Sequence, residues 1–185
     1  MLELKATREH LVHLLTEASE IEHNFLCSYV YAAVSLKRKH EGLSPGEGDA
    51  VERWRQSVMD IAIEEMAHLA LVNNLLVSIG GAACFDRPNF PIPPGYHPAN
   101  IVIRLTPFSE ATLAHFVYLE HPEDIDIQDH PDFTWETHYT RLPVGYGLTP
   151  STPDYATVGG FYAAIRAAIY HLADSEASLF VGANG

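Results

Sequence analysis

The sequence predicts a mostly α-helical protein built on a long antiparallel helical hairpin. Two long stretches, residues 7–40 and 49–79, carry apolar side chains at helical spacing. The turn at 41–48 contains glycine and proline and is short, so the two helices should lie side by side in opposite directions. The chain has 185 residues, of which 47% are hydrophobic, enough for one domain with a substantial core.

The ends of both hairpin helices carry recognisable signals. Thr7 can serve as the N-cap of the first helix, and the basic stretch Lys37–His40 suits a helix C-terminus. The second helix should stop at Gly80-Gly81, because glycine readily adopts the left-handed conformation that ends helices. The hairpin is therefore expected to span residues 7–80.

The composition changes after the hairpin, since eleven of the twelve prolines lie between Pro88 and Pro153. This segment, 81–154, is predicted to be irregular, with a short strand or extended piece at 101–105 and a short helix at 109–120 capped by Ser109. Residues 121–154 suit either a functional lid or a packing layer over the hairpin. A last helix is expected over 157–175, which places residues 1–185 in one domain.

Charge and composition exclude several classes of function. The formal net charge of -13 argues against a nucleic-acid surface and against docking on an anionic membrane. Polar residues interrupt every long apolar run, so no membrane span is expected. The N-terminus lacks the layout of a secretion signal, and the two cysteines form no CxxC pair, which favours a cytoplasmic location.

Two glutamates lie on the apolar faces of the hairpin helices. At about 100° per residue, Glu22 shares a face with Phe25, Leu26 and Tyr29, whereas Glu20 falls on the far, solvated side. Glu65 similarly lies in the apolar stripe of the second helix. An ionised carboxylate is costly to bury alone, and two that face each other repel unless a proton or a cation joins them.

His68 follows Glu65 by one turn on the same face, so the two side chains can chelate one ion from a single helix. We therefore predict a metal site of Glu22, Glu65 and His68. Its oxygen and imidazole donors suit iron or manganese, and zinc accepts the same set. The alternative is a buried Glu65–His68 ion pair, with Glu22 capped by a tyrosine such as Tyr29. His23 is either a neighbour of the site or a surface residue.

Several segments resemble a known family. The segment with the most specific likeness is Ile63–Gly81, which contains Glu-Glu-Met-Ala-His-Leu and ends in Gly-Gly. Weaker likeness extends through Ile21-Glu22-His23, Leu105–Phe108, Phe116–Pro122 and Thr157–Ile165. Together these segments resemble the ferritin-like domain of iminophenyl-pyruvate dimer synthase and its relatives.

The resemblance implies a ferritin-like helical bundle with iron-type ligands at Glu22, Glu65 and His68. Relatives often carry a glutamate where this chain has Gly160, and they continue into a further helix beyond the equivalent of residues 180–182. The resemblance thus favours a partial or single-metal site over an intact two-metal site.

Two functions follow as hypotheses. The first is a non-haem metalloprotein, an oxidoreductase-type enzyme acting on a small organic substrate. The alternative is a non-catalytic bundle with a degenerate metal site that serves in binding or assembly. Either reading is compatible with a homo-oligomer, in the simplest case a dimer, because three helices leave one side of a bundle uncovered.

Overall fold

The computed structural model describes residues 6–122, 125, 127–135, 155–176 and 178–181. Its described part is mostly helical, as predicted. The helices are α1 (Arg8–Ser35), α2 (Pro45–Ser78), α3 (Glu110–Leu119) and α4 (Val158–Ser175). Single helical turns occur at Pro98–Asn100 and Pro131–Phe133.

Hydroxyl side chains cap the start of each helix. Thr7, Ser109 and Thr157 accept a backbone N–H from the first turn of α1, α3 and α4, so the caps expected at Thr7 and Ser109 are present. Helix α2 begins at Pro45, earlier than the predicted Asp49. The reason is a capping box, in which Ser44 and Glu47 satisfy each other's backbone N–H groups.

Helix α1 ends at Ser35, so the prediction that it continues to His40 is wrong. Ser35 accepts the backbone N–H of Phe108, and the chain turns to an extended conformation at Leu36. The buried Arg55 of α2 then donates to the carbonyls of Leu36 and Lys37. A side chain from the neighbouring helix thus supplies the positive charge and the hydrogen bonds at this end, where the sequence analysis expected the basic stretch to suit the helix dipole.

The turn after α2 depends on its two glycines, as expected. Gly80 has a φ of +88°, in the left-handed region, and Gly81 donates to the carbonyl of Leu76. A Cβ on Gly81 would lie 2.7 Å from the Leu76 side chain, so the chain can turn this closely only with glycine there. Arg8 of α1 donates to the carbonyl of Ile79 and ties this end to the start of the hairpin.

Helices α1 and α2 pack along their length and form the centre of the core, and α4 packs against α1. A buried polar network fixes the chain that follows α2. Asn73 donates to Ser19 at 2.9 Å and accepts the N–H of Cys84 at 2.7 Å, while Ser19 donates to the carbonyl of Cys84. The network holds the loop against α1 with its polar groups satisfied.

The middle of the chain is irregular where it is described. One antiparallel bridge joins Ile92 and Ile103, so the expected extended piece at 101–105 is present without a full strand. Residues 136–154, the larger part of the predicted lid or packing layer, lie outside the described residues.

Helix α2 is long and apolar enough to cross a membrane when judged by length and composition alone, which the sequence analysis did not anticipate. One third of its most apolar window is buried inside the fold. Its inner face contains the buried Glu65 and Asn73, and the core helix of a globular protein passes the same test.

Candidate metal centre

The hairpin brings the three predicted ligands together. Glu22 projects from α1 towards α2, and Glu65 and His68 project from α2 one turn apart. One ligand atom from each residue lies within 4.8 Å of the other two. Among the described residues, this is the cluster of histidine, cysteine and acidic side chains that could hold a metal ion.

The distances within the cluster suit a shared ion. His68 Nδ1 lies 3.5 Å from Glu22 Oε2 and 3.5 Å from Glu65 Oε1. Nitrogen and oxygen ligands bound about 2.0–2.2 Å from one ion lie roughly 3–4 Å from each other. A separation of 3.5 Å is long for a hydrogen bond and therefore weak support for a direct ion pair.

The two glutamates are buried and His68 is open. Glu22 and Glu65 are each 4% exposed, whereas the side chain of His68 is 52% exposed. Burial, followed by the hydrogen bond and charge of Glu22, raises the pKa of Glu65 from 4.5 to about 10. In the absence of a cation, Glu65 therefore holds a proton at neutral pH.

A tyrosine from α4 orients the Glu22 carboxylate. The Tyr162 hydroxyl donates to Glu22 Oε1, and burial beside that carboxylate raises the tyrosine pKa, so Tyr162 stays a protonated donor. Glu22 Oε2 is buried and has no hydrogen-bond partner within the described part of the chain. This oxygen lies 3.5 Å from His68 Nδ1, on the side where His68 and Glu65 converge.

A second tyrosine–glutamate pair lies beside the first. Tyr29 of α1 donates to Glu120 Oε1 at 2.5 Å, and Glu120 is the C-cap residue of α3. Burial raises the pKa of Tyr29 far above its usual range, so Tyr29 is also a protonated donor. The negative charge of Glu120 contributes to the raised pKa of Glu65, which places both carboxylates in one electrostatic environment.

A cavity of about 510 Å³ opens over the cluster. Its polar lining consists of the three candidate ligands together with Glu120, His121 and Tyr162, and the rest is mainly apolar, including Leu71, Leu75 and Val158. The size is that of a small-molecule pocket, with apolar walls and a few convergent polar groups.

The other sequence candidates occupy different places. Glu20 is half-buried, where full solvation was expected, because Tyr96 covers it and donates to it at 3.4 Å. His23 bonds the carbonyl of Phe85, away from the cluster. Gly160 donates its N–H to the capping Thr157. The residue of α4 that contacts a candidate ligand is Tyr162, which bonds Glu22.

The sequence analysis did not identify Tyr162. Its alternative to the metal site had Glu22 capped by a tyrosine, with Tyr29 as the example. A tyrosine does bond Glu22, but it is Tyr162, whereas Tyr29 bonds Glu120. Tyr162 follows Phe161, the fully buried residue of α4, and nothing in its spacing distinguishes it from an ordinary core aromatic.

The 2-imino-3-(indol-3-yl)propanoate dimerase of Chromobacterium violaceum is 31% identical to this chain over an alignment that covers 64% of the chain. The same alignment covers 14% of that enzyme, so the chain corresponds to a small part of this relative. No solved structure matches significantly.

A family-wide comparison covers much more of the chain. A model of the Ferritin-like family matches residues 15–184, a span that includes Glu22, Glu65, His68 and all of α4. The helical hairpin with inward glutamates and the resemblance found in the sequence point the same way. This chain belongs to the Ferritin-like family.

Proposed function

We propose that this chain binds one transition-metal ion through Glu22, Glu65 and His68, and that it is an oxidoreductase-type enzyme acting on a small organic substrate. Iron is the preferred ion, and manganese and zinc suit the same donors. The observation that carries the proposal is the convergence of two buried carboxyl groups, Glu22 and Glu65, with the His68 ring, whose Nδ1 atom lies 3.5 Å from an oxygen of each.

The donor set fits a bound cation better than it fits an empty polar core. Two buried carboxyl groups in contact require a proton or a positive ion between them, and no lysine or arginine lies among the described residues that line the cavity. Glu22, Glu65 and His68 would hold the ion, and a site with only three protein ligands would leave it able to bind a further small molecule.

A bound iron ion would supply Lewis-acid or redox chemistry at the floor of the cavity. The protein residues have separate tasks. Tyr162 holds Glu22 in a fixed orientation, as hydrogen bonds to metal ligands commonly do. The apolar walls exclude water from the substrate, and Glu120, held by Tyr29, can accept a proton at the edge of the cavity.

A second function is favoured by one observation on α4. This helix presents Tyr162 to the cluster, and its described residues supply no carboxylate or histidine to it. A bundle with only three ligands could bind metal without turnover and act in binding or assembly. The two functions differ in whether the iron-loaded protein consumes oxygen in the presence of a substrate.

Metal titration tests the proposal directly. Protein stripped with chelator should bind one Fe²⁺ per chain under anaerobic conditions, measured by calorimetry and by metal analysis after gel filtration. His68→Ala should weaken binding at least about tenfold with little loss of stability, because its side chain is half exposed. His171→Ala, on the exposed surface of α4, is the matched control. Stoichiometric binding that is unchanged in His68→Ala would place the metal elsewhere.

We also propose that the chain forms a homodimer in the cytoplasm. Three apolar side chains on one outer face of α2 support the dimer, since Ile63, Met66 and Val77 are each more than half exposed. Sedimentation velocity should give the dimer mass for the wild type, and Met66→Glu should shift it towards the monomer. A monomeric wild type, or an unchanged mass in the variant, would contradict the assignment of this face.

A further inference from the structure

A second cavity, of about 490 Å³, lies beside the start of α3, in addition to the cavity over the metal cluster. The Trp54 and Phe108 rings stack at its edge, with their centroids 6.0 Å apart, and fix the start of α3 against α2. Trp54 and Leu113 also line this cavity and stay about half exposed, although both are large and apolar. Such side chains around a cavity mark a place where an apolar ligand can be buried.

The two cavities lie at opposite ends of α3 and on the same side of α2. The second cavity is lined by Phe108–Glu110 and Leu113, at the start of α3, and the first by Leu119–Pro122, at its end. On α2 the order is the same, since Ser57 lines the second cavity and His68 the first. At 100° per residue, these two α2 positions lie within about 20° of each other around the helix. The two helices therefore run in the same direction, with a cavity at each end of α3.

The positions between the two cavities are aliphatic on both helices. Ile61 lies one turn after Ser57 on the same side of α2 and is partly buried against the core. On α3, Val117 lies between Leu113 and Glu120, within about 60° of both. Val117 is 56% exposed, so this face of α3 is not packed against α2. The space from one cavity to the other is thus bordered by aliphatic side chains.

We infer that the two cavities are the ends of one groove between α2 and α3, and that this groove takes a substrate with a long aliphatic chain. The polar, reacting end of the substrate lies at the metal cluster, and the tail reaches Trp54. This inference rests on the proposed function in placing the reacting end at the cluster.

The length and chemistry of the chain follow from the walls. Leu113 and Glu120 are seven residues apart, so a chain that enters both cavities must span about 10 Å along α3. Apolar burial is non-directional and grows with each methylene, so a flexible chain suits an elongated groove with aliphatic walls.

Two unbranched alcohols test the length preference: n-decanol, which is longer than this span, and n-hexanol, which is shorter. Calorimetry on the full chain in the presence of chelator should show one n-decanol bound per chain. Its affinity should exceed that of n-hexanol at least about thirtyfold, because each buried methylene strengthens binding about threefold to fourfold. Equal affinities for the two alcohols would overturn the inference.

Trp54 reports whether the tail reaches the second cavity. The chain has two tryptophans, so Trp135→Phe leaves Trp54 as the single one. Saturation with n-decanol should shift the Trp54 emission to shorter wavelength, because the half-exposed ring loses contact with water. Binding of n-decanol without any change in this emission would confine the alcohol to the cavity over the cluster and overturn the inference.

A pair of variants tests the path between the cavities. Val117→Trp places a bulky ring there, and Val34→Trp makes the same change at a comparably exposed position of α1 outside both cavities. Val117→Trp should weaken n-decanol binding at least about tenfold and leave n-hexanol binding nearly unchanged, because only the longer chain passes this point. Val34→Trp should change neither. Binding of n-decanol that is unchanged in Val117→Trp, or equally weakened in both variants, would refute a continuous groove.

The outcome is distinguishable from that of the metal proposal. Alcohol binding in chelator-treated protein requires no ion, so the groove can be confirmed where metal titration fails. Conversely, stoichiometric Fe²⁺ binding without any dependence on chain length would leave the metal proposal standing and remove only this inference.

Discussion

Replacing Glu65 with glutamine should stabilise the metal-free protein and abolish tight metal binding in the same variant. The metal-free fold must hold Glu65 protonated at pH 7, since its pKa is raised to about 10, whereas the unfolded chain ionises it near 4.5. Holding that proton at pH 7 costs up to about 3 kcal/mol, at about 1.36 kcal/mol per pKa unit. Glutamine is neutral and of similar shape, so this cost disappears.

The loss of metal binding has a different origin. Glutamine offers a neutral oxygen in place of a carboxylate, so the affinity for Fe²⁺ should fall at least about a hundredfold. Thermal melts with chelator and with added metal measure both effects. The wild type should be less stable than the variant without metal, and it should gain more stability when metal is added.

Glu64→Gln is the matched control, because Glu64 is the exposed neighbour of Glu65 on the same helix. It should leave both melts close to those of the wild type. The ion-pair alternative predicts the opposite for Glu65→Gln, since breaking a buried pair costs about 3–5 kcal/mol. A destabilised metal-free variant with unchanged metal affinity would therefore support that alternative and refute the metal centre.

Metal affinity should rise with pH while the stability of the metal-free protein falls. Between the unfolded pKa near 4.5 and the folded pKa of about 10, the folded chain binds more protons at Glu65 than the unfolded chain does. The contribution of this group to stability is therefore neutral below pH 4.5 and becomes more unfavourable as pH rises through the window. A cation must displace the same proton, so its apparent affinity increases by up to about tenfold per pH unit.

Calorimetry with Mn²⁺ between pH 6 and 8 measures this linkage. Repeating the titration in buffers of different ionisation enthalpy should give the release of about one proton per ion at pH 7. Glu64→Gln should release the same number of protons. An affinity that does not change with pH would mean that Glu65 is already ionised in the metal-free fold. That result would contradict the raised pKa that burial and Glu22 give to Glu65.

The hairpin could be predicted because its signals are local. The apolar spacing of both helices, the Thr7 cap and the Gly80-Gly81 stop act within a few residues of where they lie in the chain. The end of α1 could not be predicted in the same way. It depends on Arg55, which reaches the carbonyls of Leu36 and Lys37 only after the two helices have packed.

The cluster, too, could be predicted from the sequence only in part. Helical periodicity places Glu65 and His68 on one face of α2 and Glu22 on the apolar face of α1, and the antiparallel turn makes the two helices neighbours. Their register was not visible in the sequence, because small changes in turn geometry slide one helix along the other. The packing of α1 on α2 brings the ligand atoms within 4.8 Å of one another.

By itself, the sequence determined that the protein is helical, that its longest helices form a hairpin, and that two glutamates lie on the inner faces, one of them with a histidine one turn further along the helix. Periodicity and capping are properties of neighbouring residues, so they can be recognised in the sequence without knowledge of the fold. Only the tertiary structure decided that Tyr162 bonds Glu22 and that Tyr29 bonds Glu120. Each of those bonds joins residues far apart in the chain, and a hydrogen bond depends on the position of both atoms.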